Sequence, residues 1–349
     1  MGAPTERAIQ YGAMGPDHRV VFTAPGVVEL EEGSAPSPGP GEVLLETQRS
    51  LISTGTELAT LHGPPWTNPG GRTMPTYPNY SGYSNAGRVV AVGEGVTAWK
   101  VGDRVASGAK HAAYPLMRER DWAIRIPEGT SDEAATFCTL GTTVLNGCRI
   151  GEPQLGEDAV VIGMGLLGQL LAQYLRIAGC ERVIGIDLAD SRLEIARKVG
   201  AVTHPLNAAR EDVTAAVIEL TEGRGADVVY EATGLTKTFD LAIGLARFFG
   251  RVVALGSPRW AAPVDMMQVH MKAIRVLGAI VSSHPPEDDR RNRWSRRANG
   301  QQVMRWLADK RLNVAPMITD RVPADDAVRA FGMLSEEREK HLGVILEWR

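Results

Sequence analysis

Three glycines, Gly163, Gly165 and Gly168, follow the apolar run "DAVVI" and open an amphipathic stretch. Their G-x-G-x-x-G spacing, between a predicted strand and a predicted helix, is typical of a dinucleotide-binding turn. The first glycine permits a tight turn, the second lets the backbone approach a pyrophosphate, and the third lets the helix pack closely on the strand. The N–H groups at the start of the helix would then meet the phosphates. We predict that this turn, with Leu166 and Leu167, binds a dinucleotide.

An acidic residue follows the glycine turn at the spacing expected of a ribose ligand. Asp187 ends the next apolar run, "RVIGID", 24 residues after Gly163. Its carboxylate would accept both ribose hydroxyls of NAD and repel the 2′-phosphate of NADP, so the predicted cofactor is NAD(H). Arg192 lies further along, where it could cap the ribose edge or lie on the helix surface. Without the acid, the glycines would fit an ordinary turn with no ligand.

The surrounding pattern predicts the elements that position these residues. From residue 157 onward, strand-like runs alternate with helical ones, which indicates a parallel sheet with right-handed crossovers. Before residue 150 the chain is rich in Gly, Pro and β-branched residues, with short strand-like runs over 41–53, 87–93 and 102–108. A helical stretch over 130–150 follows, with Ser131 as a plausible N-cap.

This organisation predicts an α/β protein of two domains. Residues 151–285 form a Rossmann domain with a doubly wound parallel sheet that binds the cofactor. Residues 1–150 form a β-rich catalytic domain, and residues 286–349 return to complete it. Near residue 283 the alternation ends in the charged stretch "HPPEDDRRNRWSRRANG", and a helix over 301–310 and a strand over 342–347 follow.

Composition and charge exclude several functional classes. The net charge of −3 gives no reason to expect a nucleic-acid partner. No apolar run approaches the ~18–20 residues of a membrane span, and the N-terminus lacks the apolar region of a signal peptide. The three cysteines form neither a disulfide nor a zinc pattern, which suits a reducing compartment. We expect a cytoplasmic protein that acts on a small molecule.

Fragments along nearly the whole chain carry a family resemblance. They are "PGPGEVLLE", "GRVVAVGEGVTAWKVGDRV", "IPEGTSDEAATF", "DVVYEATG" and "GRVVALG". With the glycine turn, they resemble the medium-chain dehydrogenase/reductase superfamily. The resemblance implies a GroES-like catalytic domain, a Rossmann domain, an active site in the cleft between them, and hydride transfer at nicotinamide C4. It also implies that two loops pass the nicotinamide ribose, which adds Ala232, Thr233, Gly234, Leu255, Gly256 and Ser257 to the cofactor site.

The zinc-dependent members of that superfamily have ligand positions that this chain fills with hydroxyls. Thr54 in "TGTE" stands at a ligand cysteine, and Tyr83 and Ser84 in "GYSNAG" stand at a histidine and a glutamate. Thr139 falls at the third ligand, next to Cys138, and the four-cysteine structural lobe after "GDRV" is absent. Zinc binds thiolate, imidazole or carboxylate, and hydroxyls are poor substitutes. We therefore predict no zinc at either site.

Without a metal, a hydrogen-bonding acid or base must act on the reacting oxygen. Tyr83 is one candidate, although its phenol, with an ordinary pKa near ~10, would need a lowered pKa, and plain packing is the alternative. Thr56 keeps the hydroxyl that the family uses as a proton relay, or is a turn residue bonding its own backbone. Glu57 could act as a base or hold the local loop.

Other residues are candidates for substrate binding beside Thr54, Ser84 and Thr139. His62, in "LHG", could line the mouth of the cleft or be structural. His284 and Trp294, in the charged stretch, could bind a polyhydroxylated substrate by hydrogen bonding and stacking, with burial as the alternative for Trp294.

The sequence favours a zinc-independent, NAD-dependent dehydrogenase of a secondary alcohol. The run "ISTGTE" resembles a zinc-free branch with bacteriochlorophyllide, sugar-type and cyclitol-type oxidoreductases, and a sugar-like or cyclitol substrate is the guess. A zinc-free enoyl or quinone reductase and a non-catalytic NAD-binding regulator are the alternatives. Relatives pair the edges of their Rossmann sheets, so the strand "AIRVLGAIV" predicts a homodimer or homotetramer.

Overall fold

A computed structural model describes residues 15–63, 75–258, 261, 263–285 and 293–349. The first part of the chain is β-rich. Its strands and helices are β1 (Asp17–Ala24), β2 (Val27–Gly33), β3 (Glu42–Leu51), α1 (Thr56–His62), β4 (Asn79–Tyr80), β5 (Asn85–Val92), β6 (Arg104–Ser107), β7 (Leu116–Arg118), β8 (Ala123–Arg125), α2 (Asp132–Thr136) and α3 (Cys138–Ile150). The predicted helix over 130–150 is thus two helices, and Ser131 caps the first by accepting a hydrogen bond from the N–H of Ala134.

The middle of the chain alternates strictly between strand and helix. Its elements are β9 (Asp158–Ile162), α4 (Leu166–Ala178), β10 (Arg182–Asp187), α5 (Asp190–Lys198), β11 (His204–Asn207), α6 (Val213–Leu220), β12 (Ala226–Glu231), α7 (Thr238–Leu245), β13 (Ala246–Ala254), α8 (Met266–Met271) and β14 (Arg275–Gly278). The six strands form one parallel sheet in the order β11-β10-β9-β12-β13-β14. This is the strand order of a doubly wound Rossmann sheet, so the predicted fold class is confirmed.

The last part of the chain returns to the first. It contains α9 (Arg296–Ala308), β15 (Ile318–Pro323), α10 (Ala327–Glu336) and β16 (Gly343–Glu347). Strand β16 pairs antiparallel with β3, and β15 pairs with β16. These C-terminal strands extend a sheet of order β15-β16-β3-β5-β6-β8, with β7 paired to β3 beside it, while β2-β1-β4 forms a smaller sheet.

Some predicted element boundaries were wrong. The run "TKTFDLAIGLARFF" predicts a helix through Phe249, but α7 ends at Leu245 and β13 begins at Ala246. Phe248 and Phe249 are exposed, so their apolar character does not mark a buried helix face. The helix expected over 301–310 begins earlier, at Arg296, because Ser295 caps it by accepting from the N–H of Ala298.

The two parts of the molecule share a continuous apolar core. One buried cluster joins Ala106 of β6 and Val144 of α3 to Leu170 of α4 and Val303 of α9. This packing fixes α3, which carries Thr139 on its first turn, against the Rossmann sheet. Among the described residues no helix combines the length and apolarity needed to cross a bilayer.

Candidate active site

The turn that joins β3 to α1 carries the first reactive hydroxyls. The backbone N–H of Ser53 donates to Glu57 Oε1 at 2.9 Å, and the N–H of Glu57 donates to the Ser53 carbonyl at 3.0 Å. This reciprocal pair closes the turn in the manner of a capping box. Thr54 is half-buried within it, and Thr56 is exposed at the first position of α1.

Tyr83 meets this turn from the loop that precedes β5. Its ring packs against the shared core, and its hydroxyl donates to Ser53 Oγ. Thr56 is also within hydrogen-bonding reach of the phenol. Burial, together with the charge of Glu57, raises the pKa of Tyr83 to about 12. The requirement for a lowered pKa is therefore not met, and Tyr83 is a neutral phenol at physiological pH.

Glu57 holds the local loop, which was one of its two predicted roles. Its side chain is buried, and Oε2 accepts from Ser81 Oγ at 2.5 Å and from His111 Nε2 at 3.0 Å. Burial acts to raise the pKa of Glu57, but the His111 interaction and the other hydrogen bonds outweigh it and lower the pKa. A carboxylate committed to three donors inside the protein is not placed to act as a base on a substrate.

The remaining predicted substrate residues near this turn occupy different environments. Ser84 is fully buried, and within the described part of the chain its hydroxyl has no hydrogen-bond partner. Thr139, on the first turn of α3, is buried and donates to the carbonyl of Ser107 at 3.3 Å. Ser107 pairs with Asn85 across β6 and β5, so Thr139 lies near the strand that follows Ser84.

Three residues predicted to contact substrate have partners within the protein. His62 bonds Ser335 of α10 at 3.1 Å, which ties it to the outer helix. The ring nitrogens of His284 lie 2.7 Å from the Val281 carbonyl and 3.3 Å from the Thr142 carbonyl, and the neutral ring donates its one N–H to one of them. The Trp294 ring lies under the Arg149 guanidinium, 3.3 Å from its centroid, beside the last turn of α3. Thr139 is on the first turn of that helix and Arg149 is on the last, so their backbones are about 15 Å apart along the helix axis.

The donor set at the zinc positions does not fit zinc. Thr54, Tyr83, Ser84 and Thr139 offer hydroxyls, whereas the metal prefers thiolate, imidazole and carboxylate. Burial raises the pKa of Cys138 to about 12, and its Sγ points to the carbonyl of Gly300. Within the described ranges no three His, Cys, Asp or Glu side chains group closely enough to hold a metal ion.

The glycine turn after β9 has the geometry of a phosphate cradle. A Cβ on Gly168 would lie 1.9 Å from the Gly163 carbonyl oxygen, so the helix–strand contact requires glycine there. A Cβ on Gly165 would meet nothing within 4 Å, and no side chain caps α4 at this residue. Open space thus faces unpaired helix N–H groups, which suits a pyrophosphate. Leu166 is buried beneath this end of the helix, and Leu167 is half-buried beside it.

Asp187 lies at the end of β10 and faces this turn. Its Oδ2 accepts from the N–H of Met164 at 2.7 Å, and its Oδ1 accepts from the N–H of Ala189 at 2.9 Å. A carboxylate oxygen accepts two hydrogen bonds, so each retains capacity for one ribose hydroxyl. Arg192 is 3.8 Å from Asp187 and donates to the carbonyl of Arg338, so it borders the ribose position.

Two further loops leave the carboxyl edge of the sheet beside the cradle. Glu231, buried at the end of β12, accepts from the N–H groups of Thr233 and Gly234 and shapes the loop that begins at Ala232. The loop after β13 packs on it so closely that a Cβ on Gly256 would lie 2.2 Å from the Gly234 nitrogen. Leu255 contacts Gly147 of α3, and Ser257 faces Gly234. The predicted cofactor residues therefore converge at the edge where such sheets bind ligands.

Fold and site together define a two-domain oxidoreductase with a dinucleotide site. The description "Alcohol dehydrogenase GroES-like domain" matches residues 39–180, and "Zinc-binding dehydrogenase" matches residues 167–297. The chain is 30% identical to L-threonine 3-dehydrogenase of Saccharopolyspora erythraea, over 93% of this chain and 96% of that protein. It belongs to the medium-chain dehydrogenase/reductase superfamily, and it is a pyridine-nucleotide-dependent dehydrogenase or reductase.

Solved structures of the same fold cover almost the whole chain. The crystal structure of 2R,3R-butanediol dehydrogenase from Bacillus subtilis has a TM-score of 0.81 at 22% identity, covering 95% of this chain and 99% of that one. Alcohol dehydrogenase TADH from Thermus sp. ATN1 has a TM-score of 0.78 at 24% identity, covering 95% and 99%. At these identities the likeness describes the fold.

Sequence reasoning missed two residues of the site. Ser53 accepts the Tyr83 hydroxyl, and its place directly before "TGTE" was the available signal. His111 bonds Glu57 from 54 residues away, and no local pattern connects the two. Only the sheet topology brings them together.

Proposed function

We propose that the protein is a zinc-independent, NAD(H)-dependent oxidoreductase that interconverts a secondary alcohol and a ketone. One observation carries the proposal: Ser53, Thr56 and Tyr83 place three hydroxyls in contact where zinc-dependent relatives hold a metal. A related protein, L-threonine 3-dehydrogenase, is named for a substrate whose 3-hydroxyl is a secondary alcohol.

The hydroxyl cluster supplies what the reaction needs at oxygen. A bound nicotinamide supplies hydride to the carbonyl carbon or accepts it from the alcohol carbon. In reduction the oxygen gains negative charge, and a neutral phenol can donate its proton there. Since each hydroxyl both donates and accepts, Ser53 can donate to the Tyr83 oxygen and leave the phenol proton for the substrate. Thr56, exposed at the edge of the cluster, would exchange protons with solvent.

The preference for NAD(H) over NADP(H) is part of the proposal. Asp187 has one acceptor position left on each oxygen and would repel a 2′-phosphate. Arg192 lies 3.8 Å from this carboxylate, and one of its nitrogens donates to the carbonyl of Arg338.

A polyhydroxylated substrate, sugar-like or cyclitol, remains the proposed class. Trp294 and His284 no longer support it, because both are engaged elsewhere. The support comes from the hydroxyls of Thr54, Thr56 and Tyr83, which offer donors and acceptors at the site.

A substrate panel tests the proposal directly. NAD⁺ reduction would be followed at 340 nm, in zinc-free buffer, with myo-inositol, galactitol, 2,3-butanediol and L-threonine. In the reverse direction, NADH-dependent reduction of the matching ketone, Tyr83→Phe should lower kcat by roughly 100-fold, because a positioned proton donor contributes ~10²–10⁴. NADH affinity, measured by fluorescence, should not change. The matched control is Tyr80→Phe, since Tyr80 is exposed and its hydroxyl bonds Glu31. Full turnover by Tyr83→Phe would refute the proposed role.

We also propose that the chain assembles as a homodimer or homotetramer through β14. This strand is at an edge of the described sheet. Around it are exposed apolar side chains, namely Phe248, Phe249, Met271, Val276 and Ile280. An unpaired strand edge with an apolar surface favours pairing with a second copy.

A further inference from the structure

A buried chain of hydrogen bonds runs from the C-terminus to the reactive turn. Trp348 Nε1 donates to Ser50 Oγ at 2.8 Å, and the same oxygen bonds His111 Nδ1 at 2.8 Å. His111 Nε2 donates to Glu57 Oε2 at 3.0 Å. The His111 side chain is 0% exposed and the Glu57 side chain 4%. Buried polar groups that are fully paired hold one geometry, because losing a partner leaves an uncompensated group inside the protein.

This series of hydrogen bonds ends at Ser53, whose hydroxyl contacts Tyr83. Glu57 accepts from the N–H of Ser53, and Ser53 Oγ accepts from the Tyr83 hydroxyl. Two residues, Glu57 and Ser53, therefore connect His111 to the phenol of Tyr83.

The same histidine also supports the loop that carries Tyr83. The backbone N–H of His111 donates to the Ser81 carbonyl at 2.8 Å, and Ser81 Oγ donates to the Glu57 carboxylate. A Cβ on Gly82 would lie 2.7 Å from His111 Cγ, so the loop rests directly against the ring. Gly82 also has φ of +101°, which favours glycine. One imidazole thus contacts both segments whose hydroxyls must meet.

We propose that His111 is a positioning residue that fixes the Ser53–Tyr83 contact through Glu57 and the Ser81–Gly82 loop. It touches neither substrate nor cofactor. The inference rests on the proposed function, in which the Tyr83 hydroxyl contacts the reacting oxygen. Since a misplacement of about 1 Å can cost ~100-fold in rate, loss of this brace should appear in kcat.

Two isosteric substitutions separate positioning from simple packing. In His111→Gln the amide can take the place of Nε2 and still donate to Glu57. In His111→Asn the shorter amide takes the place of Nδ1 and loses Glu57. We expect His111→Asn to lower kcat roughly 10- to 100-fold on the best alcohol of the panel, with NADH affinity unchanged, and His111→Gln to recover most of it. Thermal unfolding of both variants would show that they are folded at the assay temperature.

The decisive measurement repeats His111→Asn in the Tyr83→Phe background. If His111 acts through the phenol, it should cause little further loss of kcat there. An equal fold-loss in both backgrounds, or a kcat for His111→Gln as low as that for His111→Asn, would overturn the inference. Should His111→Asn not fold, Ser50→Ala, which removes the Nδ1 partner, takes its place with an expected loss of about 3- to 10-fold.

Failure of the proposed function has a different signature. In that case Tyr83→Phe alone keeps full turnover, or no alcohol of the panel reacts, and the inference falls with it. If Tyr83→Phe is impaired and His111→Asn is not, only the inference is wrong.

Discussion

The Tyr83 phenol, which we propose as the proton donor, stays protonated across the working pH range. Burial and the nearby Glu57 charge raise its pKa to about 12, so the phenol is neutral below that pH. We predict that kcat for ketone reduction does not fall between roughly pH 8 and 10 through ionisation of this residue. The measurement is the pH profile of kcat with NADH saturating. An alkaline fall with a midpoint near 9 that Tyr83→Phe abolishes would show that the phenol ionises earlier.

The proposed preference for NAD(H) also depends on a single residue. Asp187→Ser removes the carboxylate that would accept the ribose hydroxyls and repel a phosphate. Hydrogen bonds to a charged group are worth about 1.5–3 kcal/mol, so NADH affinity should fall roughly 10- to 100-fold while NADPH affinity rises. Binding titrations with both cofactors give the ratio. Glu194→Gln, on the exposed face of α5, is the control. An unchanged preference in Asp187→Ser would place the selection elsewhere.

For single residues, the sequence predicted chemical type and motif spacing better than it predicted which side chains contact each other. The glycines and Asp187 were found because their function requires a fixed local spacing. Ser53 and His111 were missed, and the partners of His62, His284 and Trp294 were not predicted, because those partners are distant in sequence. For example, Ser335 lies 273 residues from His62.

The turn between β9 and α4 is the element on which the cofactor site depends. Gly168→Ala would place a Cβ 1.9 Å from a carbonyl oxygen, which should destabilise the protein by about 1–3 kcal/mol. Gly165→Ala meets nothing within 4 Å and should leave unfolding unchanged, but its methyl group would occupy the proposed phosphate space. We expect its NADH affinity to drop at least roughly tenfold, about 1.4 kcal/mol. Thermal unfolding and NADH titration of both variants test the pair, and normal NADH binding by Gly165→Ala would contradict the cradle.

Elements with a strong local pattern were predicted, and those set by tertiary contacts were not. The alternation after residue 157 indicated the parallel sheet, because its buried strands are continuous apolar runs. The predicted boundary between α7 and β13 was misplaced because "ARFF" is mostly apolar and continues the helical pattern. Two of its residues, Phe248 and Phe249, are exposed. Strand β15 and helix α10 were missed because tertiary contacts define them. Strand β15 pairs with β16, and α10 packs on the sheets of the first part of the chain.

At the scale of the whole molecule, the exposed apolar side chains around β14 form the edge that we propose for assembly. Static light scattering should give a mass at least twice the 37.6 kDa of the chain. Val276→Lys places a charge on the exposed edge of β14, where Val276 is 49% exposed, and should shift the protein towards monomer. Val101→Lys is the control, because Val101 is 50% exposed and precedes β6, a strand of the other large sheet. A wild-type protein that is monomeric at micromolar concentration would contradict this assembly.

We propose that a hydroxyl cluster takes the place of zinc in this chain. One family description that the chain matches is nevertheless "Zinc-binding dehydrogenase". The direct measurement is the zinc content of purified, active protein by elemental mass spectrometry, with turnover recorded before and after exhaustive treatment with a chelator. Because the donor set offers hydroxyls, we predict well under one zinc per chain and unchanged turnover after chelation. Stoichiometric zinc, with activity lost on chelation and restored by added zinc, would contradict the account.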